Sequence, residues 1–325
     1  MPDPTTFVCA IESGRLEDET LLMVRSLRTF GGSLRNGPVM AVMGRTGPAL
    51  RRDIRDELHR LGVEIVTSPI GENRYPWFGY SNKIMAVETA DRLAKTPVVT
   101  WLDSDVLITS DPSGLLLADD EDFAARTEPL NAAVSSADRR SEPYWIALCD
   151  VIGVDYARLP WLSDDTSNRL VYFNSGVFSW RRASGFAADY VLAFWRLLDS
   201  RIALPNGSFF SADQVTLSPV LTRLRLRWRH LSHCDHHMLF PPLLDRGPSI
   251  GGSAVLHYSR SMQPPHRSVM LDRVAREHPE LGRWLHDNVV EPRATPRGVA
   301  LNRWILRKWR GLHWALYARR IKIIA

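Results

Sequence analysis

Pro97-Val-Val-Thr-Trp-Leu-Asp-Ser-Asp-Val-Leu-Ile108 is an apolar run interrupted by two carboxylates one residue apart, Asp103 and Asp105. Such a run reads as a strand buried on both faces, and open α/β sheets collect their ligands at the carboxyl ends of their strands. Two acids this close repel each other unless a cation lies between them. The functional reading is therefore a divalent metal held by oxygen ligands and shared with a phosphate-bearing substrate. A strand followed by an acidic turn is the structural alternative.

Upstream of this run the chain alternates strand and helix. Phe7–Ile11 reads as a buried strand. A helix follows in which Thr20, Met23, Val24, Leu27 and Phe30 share a face, with Gly31-Gly32 as its stop. Val39–Met43 and Val63–Thr67 are further strands, separated by a helix with Leu50, Ile54, Leu58 and Leu61 on one side. The βαβαβ order predicts an α/β fold, with parallel strands and right-handed crossovers over this part. Residues 68–80, rich in Pro, Gly and aromatics, read as a connector or a loop that folds over a ligand, and Ser81 starts a helix that reaches about Ala94.

Downstream, Asp119-Asp-Glu-Asp122 reads as a solvated acidic run, and 131–170 as an insertion at the sheet edge. Val171–Trp180 is a second apolar strand. Asn174-Ser175-Gly176 interrupts it, which marks a bulge or a close backbone approach. A helix over 184–200 buries Phe186, Tyr190, Val191, Phe194 and Leu198, and another begins at Ser211-Ala-Asp-Gln214. Arg223, Arg225, Arg227 and Arg229 alternate with Leu224, Leu226 and Trp228, the period of a half-buried strand with a solvated basic face. His233-Cys-Asp-His-His237 has no second cluster to complete a tetrahedral metal set. Ala254–Tyr258 is a short strand containing His257.

Composition bounds the class. The 325 residues, 45% hydrophobic and 24% charged, describe an ordinary globular chain with ample core. The three cysteines, Cys9, Cys149 and Cys234, are far apart and form neither a disulfide framework nor a zinc spacing, so they are expected to be reduced. The net charge of +5 is unevenly placed: Arg303, Arg307, Lys308, Arg310, Arg319, Arg320 and Lys322 all lie in 301–325, which contains no acid. A near-neutral body with a basic tail excludes a nucleic-acid enzyme with a basic channel and suggests local contact with an anionic surface.

Four segments in order, Leu-Asp-Ser-Asp (102–105), Tyr-Phe-Asn-Ser-Gly-Val (172–177), Ala-Asp-Gln (212–214) and His-Tyr (257–258), resemble those of the retaining glycosyltransferases of family 8, in particular the bacterial lipopolysaccharide galactosyltransferases. The resemblance implies a GT-A fold, a nucleotide-sugar-binding mixed sheet flanked by helices. It also implies Mn²⁺ or Mg²⁺ held by Asp103, Asp105 and His257, with Asp103 also meeting the ribose. It places Asn174, Asp213 and Gln214 at the donor sugar, Gln214 opposite the departing group. Glu12 falls where the base is read, Lys83 where a basic residue meets the diphosphate or orients the acids, and Glu128 where a carboxylate faces the acceptor. The family's leaving-phosphate lysine is replaced by Gln263, so Arg260 or Arg267 is the candidate substitute. The implied activity is transfer of a hexose from a nucleotide-sugar, UDP-linked, to a cell-envelope glycan or glycolipid with retention.

The expected organisation is a catalytic domain over 1–270, a helical extension over 271–300 and a basic amphipathic tail over 301–325. In the tail Leu301, Ile305, Trp309, Leu312 and Leu316 oppose Arg303, Arg307 and Arg310, the pattern of a helix lying on an anionic membrane. With no secretory signal in the sequence, a cytoplasmic protein peripheral to the inner face of the cell membrane is expected. Two other readings remain at this level. One is a haloacid-dehalogenase-type phosphatase with Asp103 as nucleophile and Asp105 as general acid. The other is an inactive membrane-peripheral carbohydrate-binding protein that kept the fold.

Overall fold

The computed structural model describes residues 3–128, 134–163, 168–204, 212–289 and 297–324. The chain opens with β1 (Thr5–Ala10), α1 (Arg15–Phe30), β2 (Val39–Met43), α2 (Arg52–Arg60), β3 (Val63–Thr67), α3 (Ser81–Leu93) and β4 (Val98–Leu102), the alternation expected. Next come β5 (Val106–Ile108), β6 (Phe123–Thr127), α4 (Glu142–Ile152), β7 (Trp161–Ser163), β8 (Asn168–Leu170), β9 (Phe173–Arg181), α5 (Phe186–Ser200) and β10 (Ile202–Ala203). The remainder is α6 (Ala212–Val215), α7 (Leu217–Leu224), β11 (Trp228–His230), β12 (His237–Met238), β13 (Val255–His257), α8 (Arg267–Glu277), α9 (Pro279–Asn288), α10 (Arg297–Ala318) and β14 (Lys322–Ile323).

Seven strands form the main sheet in the order β11-β6-β9-β4-β1-β2-β3. β1 is parallel to β2 and β4, whereas β9 runs antiparallel between β4 and β6, so the sheet is mixed. The core strands are buried on both faces, as their apolar sequences require; Val98, Val99 and Leu102 are fully covered. The polar residues among them are satisfied across strands. Thr100 Oγ1 bonds Thr5 Oγ1 and Ser179 Oγ at 2.9 Å each, and Ser179 donates to the carbonyl of Leu115. Helices α3 and α5 cover one face, and α1 and α2 the other.

The strand ends at the acid pair, as expected: β4 stops at Leu102 and Asp103-Ser-Asp105 turns the chain. The apolar residues beyond, Val106–Ile108, do not continue it but form β5 of a separate three-stranded sheet, β12-β13-β5. Likewise 223–229 is not a strand. Arg223 and Leu224 end α7, Arg225 takes a left-handed conformation (φ 54°), and Trp228–His230 alone pairs, with β6. Arg225 and Arg227 are exposed, but the row is not a free basic face. Arg227 and Arg229 bond Asp122 and Glu121 at 2.8 and 2.6 Å, so half of the acidic run is paired too.

The tail folds onto the body with its polar stripe inward. Arg310 bonds Glu12 at 2.6 Å, and Arg303 bonds Ser13 at 2.9 Å and Glu17 at 3.3 Å. Trp314 stacks on Phe78 with centroids 6.1 Å apart, and Trp77 meets Tyr317 at 5.0 Å. The Tyr317 hydroxyl donates to the carbonyl of Leu198 at 2.6 Å, and β14 pairs with β10. The aromatics of 75–78 are thus a seat for α10. Leu301, Trp304, Ile305, Trp309, Leu312 and Leu316 face outward. The apolar stripe is outward, as an interfacial helix requires, but the basic face is divided: Arg303 and Arg310 neutralise acids of the body and are withheld from any anionic surface, while Arg307 stays exposed. No helix among the described residues is long and apolar enough to cross a membrane.

Candidate active site

Backbone hydrogen bonds bring three of the sequence segments together. The amide of Asp103 donates to the carbonyl of Gly176, and the amide of Tyr258 donates to the carbonyl of Asp105, at 2.8 and 3.0 Å. Between the acids, Ser104 ties the turn down, donating to the Ala10 carbonyl at 2.8 Å and accepting from Thr20. Antiparallel pairing of β5 with β13 sets His257 opposite Val106, beside Asp105. One ligand atom from each of Asp103, Asp105 and His257 lies within 4.8 Å of the others. His257 Nε2 is 3.5 Å from Asp105 Oδ1 and 3.9 Å from Asp103 Oδ2.

Gly176 explains the glycine of the Asn-Ser-Gly break. A Cβ at this position would overlap the His257 ring, so the imidazole lies against bare backbone of β9. The other ring nitrogen, Nδ1, is 3.1 Å from Nε2 of His236, which is fully buried. In the tautomer where Nδ1–H of His257 donates to His236, Nε2 of His257 keeps its lone pair for the acids' side of the site. Burial holds His236 well below the usual imidazole range, so it is the neutral acceptor this arrangement needs. Neither residue type nor spacing marked His236 in the sequence beyond its place in the 233–237 cluster.

The carboxylates are unlike. Burial raises Asp103 despite the charge of Lys83, whereas at Asp105 burial, the largest single influence, is outweighed by the bond to and charge of His257 together with Arg15, so that Asp105 is lowered. His257 is raised, burial being outweighed by Asp105. Two half-buried carboxylates and one buried imidazole nitrogen, the imidazole steadied by a neighbouring one, fit a divalent cation that accepts oxygen and nitrogen.

Lys83 joins the metal side to the sugar side. Its ammonium is 3.0 Å from Asp103 and 2.9 Å from Asp213, and it donates to the carbonyl and hydroxyl of Ser175 at 3.0 Å each. Burial lowers this lysine, but Asp103 and Asp213 together leave it raised. Asp213 is fixed further by the Ser175 hydroxyl at 2.6 Å, while its Oδ1 is buried without a partner among the described residues. Asn174 donates to Glu128 at 2.8 Å and accepts from the Gly176 amide, and Glu128 Oε1 is likewise buried and unpartnered. Gln214 donates to the Tyr172 hydroxyl at 2.7 Å.

A cavity of about 700 Å³ is lined by the acids, His257, Lys83, Asn174, Asp213 and Gln214, together with Glu128, Arg15, Arg45, Tyr80 and Arg260. Glu12 is outside this lining. Its carboxylate is paired with Arg45 on one side and Arg310 on the other, which hold it low against the upward push of burial. Arg45 is the member of this set that reaches the cavity. Gln263 and Arg267 line a separate cavity of about 770 Å³ on the far side of residues 13–19, so Arg260 is the cation of this segment at the active-site cavity. Arg15, which no sequence pattern distinguished, is at both.

Residues 7–225 match the model of the Rhodobacterales glycosyltransferase domain. The chain belongs to that family. This glycosyltransferase resembles in fold the galactosyltransferase LgtC in complex with donor and acceptor sugar analogues (12% identity, 94% of this chain and 99% of that chain, TM-score 0.50). An active-site mutant of LgtC aligns with it at 13% identity over 90% of this chain and 98% of that chain, with a TM-score of 0.54. At such identity the likeness is one of fold, and the fold is GT-A. No curated protein matches the sequence. Family membership removes the phosphatase reading, and the chain is a glycosyltransferase by family.

Proposed function

We propose that this glycosyltransferase moves a hexose from a UDP-linked donor to a cell-envelope glycan or glycolipid, with retention and with a divalent cation held by Asp103, Asp105 and His257. The observation that supports it most is the convergence of that ligand group with the unpartnered buried oxygens of Asp213 and Glu128 in one cavity. Buried acceptors without partners are costly, and sugar hydroxyls are donors that satisfy them.

The cation, Mn²⁺ or Mg²⁺, supplies Lewis-acid stabilisation of the diphosphate as it departs. The chain's own residues do the rest. Asp103 contacts the ribose, and Arg260 adds positive charge where the diphosphate lies. Asp213 accepts from the hexose hydroxyls and Asn174 donates to them through its amide, while the carboxamide of Gln214, held by Tyr172, faces the anomeric carbon from the side opposite departure. The bonds of Lys83 to both acids favour its orienting role over contact with the diphosphate.

The test is hydrolysis and transfer across a panel of nucleotide-sugars, with and without Mn²⁺, followed by NMR of the product's anomeric proton. At least one UDP-sugar is expected to turn over only with the cation, with the donor's configuration kept. Nucleotide binding without metal-dependent turnover of any donor would sink the proposal.

The outward stripe of α10 supports peripheral attachment to the inner face of the membrane. Its six large apolar side chains are flanked by the exposed Arg307, Lys308, Arg319, Arg320 and Lys322. Changing Ile305, Trp309 and Leu312 together to serine is expected to reduce co-sedimentation with anionic vesicles at least tenfold, by analogy with the loss of about 0.8 kcal/mol per buried CH₂. Donor hydrolysis in solution is expected to be unchanged. Equal vesicle binding by the variant and the parent chain would dismiss the attachment.

A further inference from the structure

A third cavity, of about 470 Å³, shares a wall with the donor cavity. Glu128 and Tyr172 line both, and the rest of its lining includes Arg126, Arg169, His230 and His233. Glu128 is the acid of this lining, and it is committed on one oxygen to Asn174. Arg126 comes from β6 two residues before Glu128. Its guanidinium donates to the carbonyl of His236 and makes no ion pair within 4.0 Å among the described residues. Burial pulls its affinity for the proton down, with Glu128 as a weak counterweight. Arg45, Arg51 and Arg229, similarly enclosed, face Glu12, Asp18 and Glu121, and Arg28 and Arg182 spread their guanidinium groups over two or more backbone carbonyls, whereas Arg126, like Arg196, has a single carbonyl.

The imidazoles add donors rather than charge. Burial and then Arg126 hold His230 and His233 below the usual range, so at neutral pH they are uncharged. His230 spends Nδ1 on Thr127, at 3.0 Å from the hydroxyl, and Nε2 of His233 is buried without a partner. A half-buried cation without a counter-ion, surrounded by neutral N–H groups, is a receptor for an anion.

Resting on the proposed glycosyl transfer, we infer that this cavity is the acceptor subsite and that the acceptor bears an anionic group, a phosphate or a carboxylate, which Arg126 binds. Glu128 then stands between the anion and the donor's anomeric carbon, where it meets the acceptor's hydroxyls. The shared wall places the acceptor sugar next to the hexose, and the charge lies on the side away from the diphosphate.

The test uses the full chain with UDP and Mg²⁺ filling the donor cavity. Binding of hexose, hexose 6-phosphate and hexuronate is measured by ligand-observed NMR, and the same sugars are offered as acceptors with the active donor. One or both charged sugars are expected to bind at least about tenfold more tightly than the neutral hexose, and which of them does so separates phosphate from carboxylate. Arg126→Gln is expected to erase that preference, Arg126→Lys to restore part of it, and donor hydrolysis to stay within about twofold in both. Equal binding of neutral and charged sugars, or a preference that survives Arg126→Gln, overturns the inference. Arg126-dependent binding without any donor turnover would leave the subsite standing and sink the transfer reaction instead.

Discussion

Asp105→Ala is expected to abolish metal-dependent nucleotide binding and to lower donor turnover by about 10³ or more, the order seen when electrostatic stabilisation of a developing charge is removed. The loss should come without unfolding. Asp105 holds the fold through its carbonyl, which accepts from the Tyr258 amide, and alanine keeps that bond. Its side chain serves the site alone, 3.5 Å from His257 Nε2. Calorimetry of Mn²⁺ with UDP, alongside circular dichroism, separates the two effects. Undiminished turnover in the variant would remove the cation from the proposed chemistry.

Lys83→Met is expected to act on stability as well as activity, by about 3–5 kcal/mol, because it leaves Asp103 and Asp213 facing each other in the interior with no cation between them. The sign with pH follows from the direction of the shift. Lys83 is raised above 10.5 in the folded chain, so its contribution is fully present below that value and is lost as pH rises through the higher folded value. At pH 7 the deficit is therefore the whole effect. Toward pH 5 it should shrink, since Asp103, already raised by burial, takes up a proton once the lysine is gone. Urea unfolding of both proteins at the two pH values tests this. A variant as stable as the parent at pH 7 would show that the acids do not depend on the lysine.

The chemistry of the site was legible because it lies in residue types that have few structural excuses. Asp-Ser-Asp at the end of a buried strand, a histidine on a short strand and a glycine inside an apolar run each break the pattern around them, and the fold brings all three to one place. What stayed hidden depended on pairing over long separations. The apolar residues after the acids gave no sign that Asp103-Ser-Asp105 divides two sheets, because Val106, Leu107 and Ile108 are as buried as β4. The alternating arginines fitted a period of two, yet Arg225 in a left-handed conformation ends a helix there and each neighbouring arginine has found an acid far away in sequence. The tail was read as amphipathic, and its apolar stripe does face away from the body; what stayed hidden is that Arg310 and Arg303 turn inward, since Glu12 and Glu17 lie nearly 300 residues from them. His236 was passed over for want of a full ligand set, when its partner was the other imidazole rather than a metal.

The contact between Gly176 and His257 makes two distant positions interdependent. With an imidazole at 257, even a methyl group at 176 has no room; with a small residue at 257 the severe overlap goes, and only the Asn174 side-chain oxygen, 2.9 Å from the added carbon, has to shift. Substitutions at the two sites are therefore permitted in one order and not the other. A lineage that gave up the histidine could fill the glycine afterwards, and once it had done so the return of the histidine would be blocked by the backbone strand it used to rest on. The pair behaves as a ratchet, and a side chain at 176 is a readable sign in any related sequence that the imidazole has left.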